Sequence, residues 1–189
     1  MRLFLAALPP AAALAELGAT AAGLRALPGA EGLRWTAEDG WHITLAFLGR
    51  VDEQRLPELR EVLARAGAEG PAHRLRLAGG GRFGERVLWV GLAGQTRALR
   101  SLAQRAGRAV DEVHPLEQEH DYHPHLTLAR TPRGGPPDGE RRRALRRAAE
   151  LLEAFQGVEW PVTEFHLMCS EFADGRPHYT SVTSWPLAG

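Results

Sequence analysis

One internal echo constrains this chain more than any other feature. Residues 41–46 read WHITLA and residues 124–129 read PHLTLA, a shared His-apolar-Thr-Leu-Ala pattern whose histidines stand 83 positions apart. Solenoid repeats are far shorter, at roughly 20–50 residues, so a tandem array is excluded. Duplication is the simpler reading: two related lobes, each carrying one copy, facing each other across a single cleft. Each copy suits a β-strand, in which successive side chains point to opposite faces. Strict alternation sets His42, Thr44 and Ala46 against Ile43, Leu45 and Phe47 in the first copy. In the second it sets His125, Thr127 and Ala129 against Leu126 and Leu128. Packing alone gives no reason to repeat a titratable His-Thr pair on the open face of two strands, and the alanines would leave room there for a ligand.

The remaining pattern predicts an α+β fold. Helices are expected over about 10–27, from Asp52 onward with Leu56, Leu59, Val62 and Leu63 on one face, over about 95–113, and over about 138–155. The last turns Leu145, Leu151 and Leu152 inward and the arginines of 141–147 outward, as a solvated face. Strand-like segments fall at 3–8, 33–35, 41–48, 74–78, 86–92, 124–129, 160–171 and 178–185. The glycine-rich stretch 78–85 (AGGGRFGE) lacks the helix and the lysine that follow a phosphate-binding loop, so it reads as a hairpin turn. Segment 131–139 (TPRGGPPDG) reads as a surface loop.

Charge and composition remove several function classes. The 23 basic residues are all arginine and are matched by 23 acidic ones, for a formal net charge of zero. No global field exists to hold long nucleic acid, so any phosphate recognition must be local. Without lysine there is no Walker-type phosphate loop, no Schiff-base chemistry and no adenylyl-lysine. Cys169 is the only cysteine, which leaves no internal disulfide and no cysteine-based zinc site. A cytoplasmic setting fits. The apolar start MRLFLAAL has one basic residue and is cut short by Pro9 and Pro10, so secretion is not expected. No stretch is long enough to span a bilayer.

Two histidines on opposite sides of one phosphorus suit the opening of a ribose 2′,3′-cyclic phosphate. Water must lose a proton as it attacks and the departing ribose oxygen must gain one, and imidazole does both near neutral pH. Hydroxyls of Thr44 and Thr127 would steady the charge on the non-bridging oxygens. Arg130, directly after the second motif, is a candidate phosphate ligand. No metal and no cofactor is called for. Bland readings stand beside this one. A lone His-x-Thr arises by chance, and threonine favours strands anyway. His120, His123 and His125 with Glu117, Glu119 and Asp121 could instead build a metallohydrolase site, though the first copy offers only His42 and Asp39 to it. A noncatalytic RNA-end or nucleotide binder is the third alternative. His73, His114, His166 and His178 have no matching partners and read as surface or strand residues.

The tandem HITL (42–45) and HLTL (125–128) resemble the paired signatures of the 2H phosphoesterase superfamily. More narrowly, MRLFLAAL, RWTAEDGWHITLAFLGRVDEQRL, RVLWVGL, HPHLTLAR and HYTSVTSWPL resemble the RNA 2′,3′-cyclic phosphodiesterases, also known as the 2′-5′ RNA ligase family. The resemblance spans nearly the whole chain. It implies one domain over residues 1–189, bilobal and pseudo-twofold, with two mixed or antiparallel sheets lining a central cleft and helices outside. It further implies metal-independent hydrolysis of RNA 2′,3′-cyclic phosphate ends to 2′-phosphomonoesters, with His42 as proton donor and His125 as proton acceptor, and reversible 2′-5′ ligation as a related capacity. RNA ends or 2′,3′-cyclic nucleotides are the implied partners, with no membrane, and a monomer is expected. One departure stands out: Tyr122-His123 replaces the aromatic-Arg pair common before the second motif, which puts substrate affinity in question.

Overall fold

The computed structural model describes residues 1–116, 122–132, 138–173 and 175–189. In chain order the elements are β1 (Arg2–Ala7), α1 (Ala11–Arg25), β2 (Arg34–Trp35), β3 (Ile43–Arg50), α2 (Leu56–Ala68), β4 (His73–Phe83), β5 (Val87–Gly94), α3 (Thr96–Asp111), β6 (Leu126–Arg130), α4 (Gly139–Leu152), β7 (Gln156–Val162), β8 (Glu164–Ala173) and β9 (Arg176–Pro186). Strands join in the order β7-β4-β5-β6-β3-β1-β8-β9, with β2 added beside β6. Every pairing between these strands is antiparallel.

This order is symmetric about its centre. Strands β3 and β6, which carry the two motifs, meet at Ile43 and Leu126, each the residue after its histidine. Both side chains are fully buried, and each contributes about 2 kcal/mol of hydrophobic stabilisation. The two halves are therefore joined edge to edge into one continuous sheet. They are not the two halves of the sequence, because β8 and β9 complete the half begun by β1 and β3. Helices α2 and α3 pack on each other and on β3 and β9, whereas α1 and α4 cover β4, β5 and β7.

Strand β1 shows how the sheet separates its faces. Leu3, Leu5 and Ala7 enter the main core under the helices, while Phe4 and Ala6 join Met168 in a second, small apolar cluster against Tyr179. The helices follow their apolar periodicity closely. Leu59, Val62 and Leu63 are buried on α2, and Leu99, Leu102, Ala106 and Val110 on α3. Asp138 caps α4 by accepting from the Arg141 amide at 2.9 Å.

Four expectations change. Leu151 is exposed, because the buried stripe of α4 runs through Ala144, Leu145, Ala148, Ala149 and Leu152. Asp52 caps the short 3₁₀ turn Glu53–Arg55, accepting from the Gln54 amide, and α2 follows that turn. Segment 160–171 divides into the end of β7 and most of β8. The glycine-rich stretch continues strand β4 to Phe83, and the reversal comes at Gly84, whose φ of 55° suits a residue without Cβ. Among the described residues no helix is long and apolar enough to cross a membrane.

Candidate active site

Both motifs break the strict strand alternation at the same place. Opposite β1, Ala6 pairs with Thr44 and Leu5 with Ala46, leaving Leu45 as an extra residue. Opposite β5, Trp89 pairs with Thr127 and Leu88 with Ala129, leaving Leu128 as an extra residue. Each is a β-bulge, which re-phases the residues after it. Ala46 and Ala129 consequently pack against the main core, not on the open face that alternation assigns to them. The residues gained by that face are Phe47, which is 72% exposed and stands across from Phe4, and Arg130. Periodicity alone cannot reveal a bulge, since both motif strands read as uninterrupted apolar-polar alternation.

His42 and His125 each lie immediately before their strand, and each is anchored in the same way. The Nδ1–H of His42 donates to the Gly40 carbonyl at 2.8 Å, and that of His125 donates to the His123 carbonyl at 2.7 Å. A carbonyl can only accept, so the proton must sit on Nδ1 and the tautomer is fixed. In the neutral ring Nε2 is then a free base. The residue between histidine and carbonyl is buried in both cases, Trp41 in one and Pro124 in the other, which holds the turn. Gly40 ends a 3₁₀ turn over Glu38–Gly40, and a Cβ there would stand 3.3 Å from the Tyr179 ring. The missing side chain lets Tyr179 close over His42.

Aromatic rings frame both imidazoles. His42 lies 4.7 Å from Phe4 and 5.0 Å, edge on, from Tyr179. His125 meets Phe83 at 4.8 Å, nearly perpendicular, and Trp89 at 6.3 Å. Burial lowers the pKa of each histidine below the usual 6.5, the backbone hydrogen bond partly restores it, and the Arg130 guanidinium lowers both again. His125 adds to the depression at His42, the more deeply buried ring, while His123 adds to that at His125. Burial also raises the Tyr179 phenol, against the opposing pull of Arg130 and Arg2. Arg130 thus acts electrostatically on both motif histidines and on Tyr179, and among the described residues no carboxylate pairs with it.

Thr44 and Thr127 are half-buried next to their histidines, and each faces a different neighbour across the ladder. Ala6 opposes Thr44 and Trp89 opposes Thr127. Beyond Ala6 the open face continues to His166, whose Nδ1 lies 3.1 Å from Ser181 Oγ and whose Nε2 lies 3.8 Å from Glu164. A recess of about 300 Å³ beside His42 is lined by Gly40, Trp41, Met168, Tyr179 and Ser181, among others.

Comparison with known proteins now decides the family. The model for the 2′-5′ RNA ligase superfamily matches residues 9–171. The chain belongs to that superfamily. Among relatives in the 2′-5′ RNA ligase superfamily, the Escherichia coli K12 protein named RNA 2′,3′-cyclic phosphodiesterase is 32% identical over 158 residues, covering 82% of this chain and 80% of that protein. The apo structure of E. coli LigT superposes with a TM-score of 0.76 at 29% identity, covering all of this chain and 98% of that one. The Thermus thermophilus protein TT0787 gives 0.78 at 27% identity, covering all of this chain and 99% of that one.

Within the superfamily fold, the structure brings His42, His125 and Arg130 into mutual electrostatic reach. The residues missed from the sequence are the rings: Phe4, Tyr179, Phe83 and Trp89. Tyr179 lay within the family-like ending HYTSVTSWPL, but nothing in the chain spacing ties it to His42. Tyr122 packs against the core, whereas His123 is exposed against Trp89 at 4.8 Å and Phe83 at 5.5 Å. The metal reading joined His120, His123 and His125 to Glu117, Glu119 and Asp121. His120 and the three acids lie outside the described residues, and among the described residues no group of three or more His, Cys, Asp or Glu side chains is placed to hold a metal. Of the remaining histidines, His73 is buried and bonds the Pro71 carbonyl, and His114 donates to the Leu48 carbonyl.

Proposed function

We propose that this chain is an RNA 2′,3′-cyclic phosphodiesterase in which His42 and His125 exchange protons across one phosphorus atom. The supporting observation is their matched anchoring: both rings commit Nδ1–H to a backbone carbonyl and keep Nε2 for chemistry. Water attacks phosphorus and passes a proton to Nε2 of neutral His125. The bond from phosphorus to the ribose 3′ oxygen breaks, and that oxygen takes the Nε2 proton of His42, which enters the reaction as imidazolium. The product is a 2′-phosphomonoester with a free 3′ hydroxyl. Burial disfavours the imidazolium, but an arriving phosphate anion favours it, so the substrate itself prepares the acid.

Thr44 and Thr127 donate hydroxyl hydrogen bonds to the non-bridging oxygens as charge accumulates. Arg130 neutralises the same phosphate, and a guanidinium can grip two of its oxygens at once. Every role is filled by a side chain, so neither metal nor cofactor is required. Replacing the attacking water by a ribose 5′ hydroxyl turns the same ring opening into a 2′-5′ ligation, and by microscopic reversibility the same groups can cleave that linkage back to the cyclic phosphate. We read residues 1–189 as one catalytic domain, monomeric and cytoplasmic, acting on RNA ends or on 2′,3′-cyclic nucleotides. The test is product analysis after incubation with a nucleoside 2′,3′-cyclic phosphate in the presence of chelator. Accumulation of the 2′-phosphate is expected. Turnover lost in EDTA and restored by zinc would replace this reading with a metallohydrolase, and binding without turnover would replace it with a nucleotide-binding protein.

A further inference from the structure

The two lobes differ most sharply at one pair of matching positions. Where the first lobe has Ala6 opposite Thr44 and His166 opposite Ala6, the second has Trp89 opposite Thr127 and Gly81 opposite Trp89. A Cβ on Gly81 would lie 2.5 Å from the Trp89 indole, so the ring rests directly on the strand where the glycine leaves space. Phe83 stands 5.4 Å from that indole and His123 4.8 Å, and Phe83 and His123 are 5.5 Å apart. Phe83 keeps 39% of its surface exposed and His123 is exposed too. The result is a three-ring shelf, open to solvent and continuous with His125 through the Phe83 contact.

We infer that this shelf of Phe83, Trp89 and His123 is a nucleobase subsite, so that the enzyme engages two nucleotides of its substrate and not only the one bearing the cyclic phosphate. The inference rests on the activity proposed above. Nucleobases stack on aromatic and imidazole faces whatever their sequence, and an apolar ring left in water beside a catalytic imidazole gains by being covered. The recess of about 300 Å³ beside His42, with the rings of Phe4 and Tyr179 at its imidazole, offers room for the base of the nucleotide that carries the cyclic phosphate, which leaves the shelf beside His125 for a second base. The base it accepts is that of the nucleotide preceding the one that carries the cyclic phosphate.

The experiment compares kcat/KM for a dinucleotide ending in a 2′,3′-cyclic phosphate with kcat/KM for the corresponding nucleoside 2′,3′-cyclic phosphate. Wild type is expected to favour the dinucleotide roughly tenfold or more. Phe83→Ala, and Gly81→Ala by displacing the indole, bring that ratio towards one, whereas Phe83→Trp preserves it. Equilibrium binding of the two 2′-phosphate products repeats the comparison without turnover. A wild-type ratio near one overturns the inference. So does a Phe83→Ala ratio equal to that of wild type, which would make the ring a support for His125 alone. Failure to hydrolyse either compound counts against the activity itself, and the product-binding ratio then still decides the shelf.

Discussion

Arg130 and Phe47 occupy matching positions, each five residues beyond a motif histidine and each two residues beyond a β-bulge. The same backbone irregularity therefore presents a cation in one half of the sheet and an exposed aromatic ring in the other. A pseudo-symmetric cleft becomes chemically polarised by this exchange. In the function proposed above, this polarity would draw phosphate to the β6 side and leave an apolar face on the β3 side for a ribose or a base.

Arg130→Gln should raise KM by about tenfold or more, since a charge-assisted contact to phosphate is lost. It should also move the pH profile. Arg130 holds down the pKa of both His42 and His125, so its removal raises both and carries the optimum to higher pH. Steady-state kinetics from pH 5 to 9 would check the two effects together. A change in KM with no displacement of the profile would confine Arg130 to binding.

His42→Ala and His125→Ala should each lower kcat by roughly 10²–10⁴, the usual contribution of a positioned general acid or base. Both side chains lie on the open face and neither belongs to the main core, so far-UV circular dichroism and the melting temperature should stay close to wild type. A collapse in stability matching the loss of activity would point to a structural role.

Thr44→Val and Thr127→Val keep the shape and remove a donor. If the hydroxyls serve the transition state, kcat falls by about 10²-fold while KM hardly moves. A rise in KM at unchanged kcat would assign the hydroxyls to ground-state binding.

The dependence of kcat/KM on pH should be bell-shaped and centred on the acid side of 6.5. Burial pushes both imidazoles below that value, and the reaction needs one protonated and one neutral. Raising pH strips the acid and lowering it protonates the base, so the maximum lies between two depressed macroscopic values. An optimum above pH 7.5 in the free enzyme would contradict this electrostatic picture.

The repeat at 42 and 125 was enough to set two His-Thr pairs at the start of two related strands, and the interleaved helix and strand patterns were enough for the α+β class, because strand periodicity and turn chemistry act locally. Leu99, Leu102, Ala106 and Val110 likewise announced the buried face of α3. The bulges at Leu45 and Leu128 were not legible, for they arise only when β1 and β5 pair with the motif strands. Strict alternation puts Ala46 and Ala129 on the wrong face for that reason. Phe4, Tyr179 and Phe83 stayed hidden as ring neighbours of the histidines because strands remote in sequence deliver them. Gly81 reads as a turn residue in the sequence, and its purpose emerges only with Trp89 lying across it.

Division of labour between the two imidazoles is tested most directly by a cyclic substrate whose 3′ bridging oxygen is replaced by sulfur. Thiolate leaves without needing a proton, so such a substrate should restore most of the activity lost in His42→Ala and none of that lost in His125→Ala. Equal defects on the sulfur and oxygen substrates in both variants would contradict proton donation by either ring.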